Sequence, residues 1–329
     1  MNKKRKNQPI LYLILPCYNE EETLPSTISK VSTKMNSLVE SNTISKYSKV
    51  CYVNDGSTDR TWEIIMEEYY NDNNDYTVGI DLAQNVGHQN ALLAGLLESK
   101  KHADVMISID ADLQQDINAI DEMIEHYHRG SEIVYGVRKD RKTDSMLKKM
   151  SALFFYAFMN LLGCNVVKNH ADYRLMSKKA VDCLEEYNES CLFLRGIVSN
   201  LGLKSSTVYF EVKEREFGES KYTLRKMFKL ATDGITSFST SPLHLVFLLG
   251  VAITLVGFVM IVNTIIAYLK DNVVPGWSTL ICSVYFLGGA NLLGLGIVGE
   301  YCGKIYMESK KRPRYHVDTV LIDKIGKEQ

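Results

Sequence analysis

The sequence has almost no net charge, no C-x-x-C pair, no zinc-like histidine spacing and, over two long stretches, no charged residue at all. Lysine and arginine number 38 against 39 acids, a formal charge of −1. That balance excludes a nucleic-acid binder working through bulk charge. The cysteines, Cys17, Cys51, Cys164, Cys183, Cys191, Cys282 and Cys302, are odd in number, so reduced thiols in a cytosolic domain are the simplest reading. His126 and His128 are two apart on an expected helix and point away from each other, which argues against shared metal binding. A charged fraction of 23 % beside 46 % hydrophobic residues excludes a disordered chain. The arm at residues 1–8 carries Lys3, Lys4, Arg5 and Lys6, but no long apolar run follows, so it is not read as a signal peptide.

What is present is uneven. Residues 243–269 and 272–299 contain no Asp, Glu, Lys or Arg. A helix needs about 20 apolar residues to cross the hydrocarbon core. Both runs therefore read as spans, at 243–269 and 273–299, forming a helical hairpin turned at Pro275 and Gly276. Lys221, Arg225, Lys226 and Lys229 precede the first span, and Lys304, Lys310, Lys311, Arg312 and Arg314 follow the second. Both flanks are then cytoplasmic, with 300–329 a basic cytoplasmic tail. Segment 223–241 mixes bases with apolar residues and reads as an amphipathic juxtamembrane helix, in contact with membrane lipid. Segment 146–162 is either interfacial or a buried core helix.

The first 140 residues alternate strand and helix. Apolar runs at 10–15, 50–53, 77–82, 105–109 and 133–137 predict strands, with helices at 21–39, 61–70, 89–100 and 117–128. Continuous apolar strands in this order predict an α/β domain with a Rossmann-like, mostly parallel, doubly wound sheet. Ligands of such sheets bind beyond the carboxyl ends of the strands.

The strand exits carry distinctive residues. The first gives Pro16, Cys17, Tyr18, Asn19 and Glu20; the second gives Asn54, Asp55, Gly56, Ser57, Thr58 and Asp59. There Gly56 suits a tight turn, Thr58 or Asp59 suits a helix cap, and Asp55 is left over for a ligand. After the third strand come Asn85 to Asn90, then Ala91, Ala94 and Gly95, whose small size permits close helix–sheet packing. After the fourth come Asp110 and Asp112, two apart and so expected on one side of the chain. Paired carboxylates repel unless a cation joins them, and a hard divalent ion with positions open to phosphate is the natural occupant.

Together these segments resemble the motif series of family 2 glycosyltransferases of the GT-A fold. The segments from His170 to Ser177 and from Arg215 to Tyr222, with Gly299, Glu300 and Tyr301, resemble the polyprenyl-phosphate group within it, which includes bactoprenol glucosyltransferases and dolichol-phosphate mannose synthases. Gln84 stands where relatives commonly carry Arg. The resemblance implies a GT-A catalytic domain at 9–222. It implies that Pro16, Tyr18, Glu20, Asp55 and Asp110 bind the nucleotide sugar, and that Asp110 and Asp112, with Gln114, hold Mg2+ or Mn2+. Arg138, Arg215, Ser220 and Lys221 are the candidates for the acceptor phosphate, because fixed cations suit it; Arg141 reads as an ordinary surface charge. Asp172 and Arg174 are either a structural salt bridge or the catalytic pair.

The expected enzyme is a membrane-bound, metal-dependent, inverting glycosyltransferase with its catalytic domain cytoplasmic. Its donor is UDP-glucose ahead of N-acetylglucosamine or mannose nucleotides, and its acceptor is polyprenyl (undecaprenyl) phosphate. A homo-oligomer, a downstream flippase and a lipid-linked-sugar-using transferase are the further partners expected. A processive polysaccharide synthase is the rival, but Trp62 and Trp277 do not form that group's Q-x-x-R-W motif. A non-catalytic nucleotide-sugar-binding scaffold is the other alternative.

Overall fold

The structure is a computed structural model. It describes residues 8–139 except 73, 170–211 except 188 and 190–193, separate positions between 243 and 262, and 276–322. The chain divides into two compact units: 1–152, 166–222 and 313–329 in one, and 153–165 and 223–312 in the other. Arg141, Arg215, Ser220, Lys221, the segments 146–162 and 223–241, and the hairpin turn at Pro275 lie outside the described residues.

The first unit contains β1 (Leu11–Cys17), α1 (Leu24–Glu40), β2 (Lys49–Asn54), α2 (Thr61–Tyr70), β3 (Thr77–Leu82), α3 (His88–Ser99), β4 (Val105–Ser108), α4 (Ala119–His128) and β5 (Ile133–Arg138). It continues with β6 (His170–Ser177), α5 (Lys178–Glu185), α6 (Leu194–Asn200) and β7 (Ser205–Phe210). After α7 (Trp277–Ser309) of the second unit, the chain adds β8 (Val317–Leu321). The sheet order is β7-β5-β6-β4-β1-β2-β3-β8.

Strand β1 lies between β2 and β4, and every residue of it is buried, which is why its sequence is continuously apolar. Alternate side chains go to opposite faces. Leu11, Leu13 and Leu15 join the core with Leu24, Ile28, Val31, Met35 and Leu38 of α1 and with Ile120, Met123 and Ile124 of α4. Those α1 positions recur at four- and three-residue steps, one helical stripe. Ile14 faces the other way, against α3. A Cβ added to Gly95 would lie 2.4 Å from Ile14 Cγ2 and 2.8 Å from Val53 Cγ2, so the small residues of α3 are packing residues.

Most strands run one way, as expected, but β6 and β8 run against them, so the sheet is mixed. Strand β6 enters between β4 and β5, and carries Asp172 and Arg174. Strand β8 pairs with β3 at the sheet edge, so part of the segment read as a basic tail belongs to the sheet. Helix α7 also runs past Gly299 to Ser309. Glu300, Lys304 and Glu308, four apart with alternating sign, suit that extension.

In the second unit, the described positions between Leu243 and Val262 are helical. A Cβ on Gly294 of α7 would come 3.3 Å from Val246 Cγ1, so the two apolar stretches approach closely there. Helix α7 exposes Leu280, Val284, Phe286, Leu292 and Leu295. Among the described residues no helix is long and apolar enough to cross a membrane.

Candidate active site

The site begins where β1 and β2 end. Pro16 pairs with Val53 of β2, while the ladder to β4 stops at Ile14 and Ser108, so its missing N–H breaks no bond on that side. Beyond it Tyr18 is 44 % exposed and Asn19 takes a φ of 52°. The two exits are laced together. Asn19 N–H donates to Ser57 Oγ at 3.0 Å, Thr58 N–H to Asn19 Oδ1 at 2.9 Å, and Glu20 N–H to Thr61 Oγ1 at 2.9 Å. The Glu20 carboxylate accepts from Thr23 Oγ1 at 2.5 Å.

Asp55 is buried and engaged, which corrects its description as left over. Its carboxylate accepts from Val86 N–H at 2.7 Å, Gly87 N–H at 3.1 Å and Asn85 Nδ2 at 3.2 Å. Burial pushes its pKa up against the opposing pull of those backbone donors. Gly56 beside it has a φ of 60°, and a Cβ there would lie 2.4 Å from Asn85 N. The second strand exit thus fixes the loop after the third.

The D-x-D lies in a turn, because β4 stops at Ser108. Leu113 N–H closes the turn on Asp110 O at 3.1 Å, with Leu113 at a φ of 46°, and Gln114 N–H donates to Asp112 Oδ1 at 3.2 Å. From α1, Thr27 Oγ1 donates to Ala111 O at 2.7 Å. Gln115, not Gln114, donates its side-chain amide to Asp110 Oδ2. Burial raises the Asp110 pKa, and Asp172 and Asp112 add to the rise; His88 and Gln115 oppose it.

Antiparallel pairing sets Arg174 of β6 opposite Ser108 of β4, which delivers Asp172 to the D-x-D. Arg174 is buried; its Nη2 donates to Asp172 Oδ1 at 2.6 Å and its Nη1 to Leu194 O at 3.4 Å. The salt bridge therefore exists. The other carboxylate oxygen, Asp172 Oδ2, lies 3.8 Å from His88 Nε2, and that nitrogen lies 3.6 Å from Asp110 Oδ1. His88 opens α3, directly after Gly87 at a φ of 87°.

Asp110, Asp112, Asp172 and Arg174 are thus brought together. Arg138 is exposed at the carboxyl end of β5, two strands from β4. Sequence reasoning passed over His88 and Gln115. Only their neighbourhood, a helix start after a strand and the residue following a D-x-D turn, pointed to them. A cavity of about 580 Å3 borders the same turn, lined by Lys30, Thr33, Lys34, Asp112 and Leu113 among others. Asp112 and Gln115 line it but His88, Asp110 and Asp172 do not, so it meets the candidate site only at its edge. Among the described residues no three His, Cys, Asp or Glu side chains gather as a metal-binding group. Two carboxylates could hold a hard cation only if ligand oxygens complete its shell.

The site lies beyond the carboxyl ends of the central strands, where ligands of α/β sheets bind. The chain belongs to glycosyl transferase family 2, whose sequence profile matches residues 12–185. It is a glycosyltransferase by that membership and by its relatives. It is 46 % identical to the uncharacterized glycosyltransferase YkoT of Bacillus subtilis, over 96 % of this chain and 94 % of the other. It is 37 % identical to the prophage bactoprenol glucosyl transferase homolog of Escherichia coli K12, over 94 % and 98 %. The bactoprenol glucosyl transferase of Shigella phage SfX is 36 % identical over 93 % and 98 %.

Proposed function

We propose that this glycosyltransferase moves glucose from UDP-glucose to polyprenyl phosphate, at the cytoplasmic face of the cell membrane. The observation that carries the reading is similarity along nearly the whole chain to proteins named bactoprenol glucosyl transferases.

The chemistry follows from the charges. A phosphate dianion of the acceptor is already a nucleophile, so no strong base is required. Its oxygen attacks the anomeric carbon; the new C–O bond forms as the bond to the diphosphate breaks, the electron pair leaves with UDP, and the configuration inverts. Pro16, Tyr18, Glu20 and Asp55 form the nucleotide side, with Asp55 holding the 85–87 loop in place. Asp110 and Asp112 fit Mg2+ or Mn2+, with Gln114 near. Their donors are hard oxygens, and a cation would offset both the burial and the neighbouring carboxylates that raise the Asp110 pKa. The ion would neutralise charge on the departing diphosphate. Arg174 holds Asp172 as the carboxylate that orients the acceptor. Arg138, Arg215, Ser220 and Lys221 are assigned to the lipid phosphate.

The membrane reading is supported by the uncharged runs at 243–269 and 272–299 and by the apolar side chains that α7 exposes. Strand β8 follows α7 in sequence yet pairs with β3, which precedes both runs. A chain that crosses a bilayer between those strands therefore crosses an even number of times. The product would pass to a flippase and then to a transferase using the lipid-linked sugar. Incubation of purified protein with radiolabelled sugar nucleotides and undecaprenyl phosphate tests the reading. Label from UDP-glucose should enter the lipid; label entering a polymer, or no lipid, would overturn it.

A further inference from the structure

We infer that His88 is a positioning residue that holds the acceptor-side carboxylate Asp172 in register with the donor-side carboxylate Asp110. The inference rests on the function proposed above. Each carboxylate is anchored from its far side: Asp110 Oδ2 by the Gln115 amide, and Asp172 Oδ1 by Arg174 at 2.6 Å. The other oxygen of each carboxylate, Asp110 Oδ1 and Asp172 Oδ2, lies 3.6 and 3.8 Å respectively from one atom, Nε2 of His88. A single ring nitrogen therefore stands between the two halves of the site. The Asp110 and Asp172 carboxylates repel, and an N–H placed between them offsets that repulsion.

The chain leading into His88 is held: His88 is the first residue of α3, and the three residues before it donate to the Asp55 carboxylate, at 2.7 Å in the tightest case. Both Nε2 contacts exceed ordinary hydrogen-bond length, so the ring is poised between its partners. Such contacts commonly tighten when substrate binds. Nothing in this arrangement requires His88 to touch substrate. Loss of a group that orients a metal-site side chain from outside typically costs about 10- to 100-fold in metal affinity or activity.

The test compares wild type, His88→Ala, His88→Gln and Asp172→Asn, and the double variant of His88→Ala with Asp172→Asn, all full length and in lipid. Transfer kinetics give kcat and both KM values; calorimetry gives affinity for Mn2+ and for UDP without turnover. His88→Ala should lower kcat by about 10- to 100-fold. Both KM values and both affinities should stay within about threefold, and His88→Gln, which keeps an N–H donor, should recover most of the loss. The double variant should be no slower than Asp172→Asn alone, because His88 acts by holding the Asp172 carboxylate. Unchanged kcat in His88→Ala overturns the inference. So does a Mn2+ affinity that falls in step with kcat, or a double variant whose losses multiply. If wild type itself transfers no sugar to the lipid, the proposed function fails and the inference falls with it. Active wild type beside an unaffected His88→Ala sinks the inference alone.

Discussion

Asp55 is a buried carboxylate whose bonds to Asn85, Val86 and Gly87 join two loops of the site. Asp55→Ala leaves two backbone N–H groups without their acceptor. Each hydrogen bond to a charged group contributes about 1.5–3 kcal/mol, so a stability loss of roughly 3 kcal/mol is expected in urea melts. Nucleotide affinity should fall with it while the lipid site survives; a loss below about 1 kcal/mol would contradict the bonding role. Asp112→Asn differs. Its retained Oδ1 still accepts the Gln114 N–H, so folding should survive, while turnover falls by about two decades or more with the metal charge misplaced. Unfolding of Asp112→Asn, or full activity in excess chelator, would argue against that role. Burial pushes the Cys51 thiol up to about 12. At pH 8 Cys51 should stay unmodified by iodoacetamide until the protein is denatured, as mass mapping would show.

At the scale of elements, the helices and parallel strands were legible because their burial is complete on the side that the pattern marks. The D-x-D was legible from spacing. Strand β6 was harder: Asp172 and Arg174 interrupt its apolar run, and the buried Arg174 is received by Asp172 and Leu194 O. His88 was not legible as a site residue, since its place depends on β6 lying beside β4. Strand β8 is short, and its residues (Val-Asp-Thr-Val-Leu) do not alternate polar with apolar although their burial does, so the basic residues before it suggested a tail. The packing of α3 makes its own prediction. Alanine at Gly95 gains about 1 kcal/mol of helix propensity. Its Cβ, however, meets Ile14 Cγ2 at 2.4 Å, and overpacking costs about 1–3 kcal/mol. Gly95→Ala should therefore lower Tm; a raised Tm would mean that Ile14 and Val53 yield easily.

For the whole molecule, the pairing of β8 with β3 and the two uncharged runs set the expected topology. A tag at Gln329 should be protected from externally added reagent in intact cells, and a tag at Asn272 should be labelled. External labelling of Gln329 would reverse the orientation, and protection of both tags would remove the hairpin. Removal of residues 313–329 should also destabilise the sheet, because it strips β8 from the edge of β3.

The most direct test of the central claim is the identity of the product. Full-length protein in undecaprenyl-phosphate vesicles, given UDP-glucose and Mn2+, should yield a lipid whose mass equals acceptor plus one hexose. Its anomeric configuration by NMR should be opposite to that of the donor, and its formation should slow by about two decades or more with Asp112→Asn. Retention of configuration, free glucose without a lipid product, or undiminished product from Asp112→Asn would contradict the account.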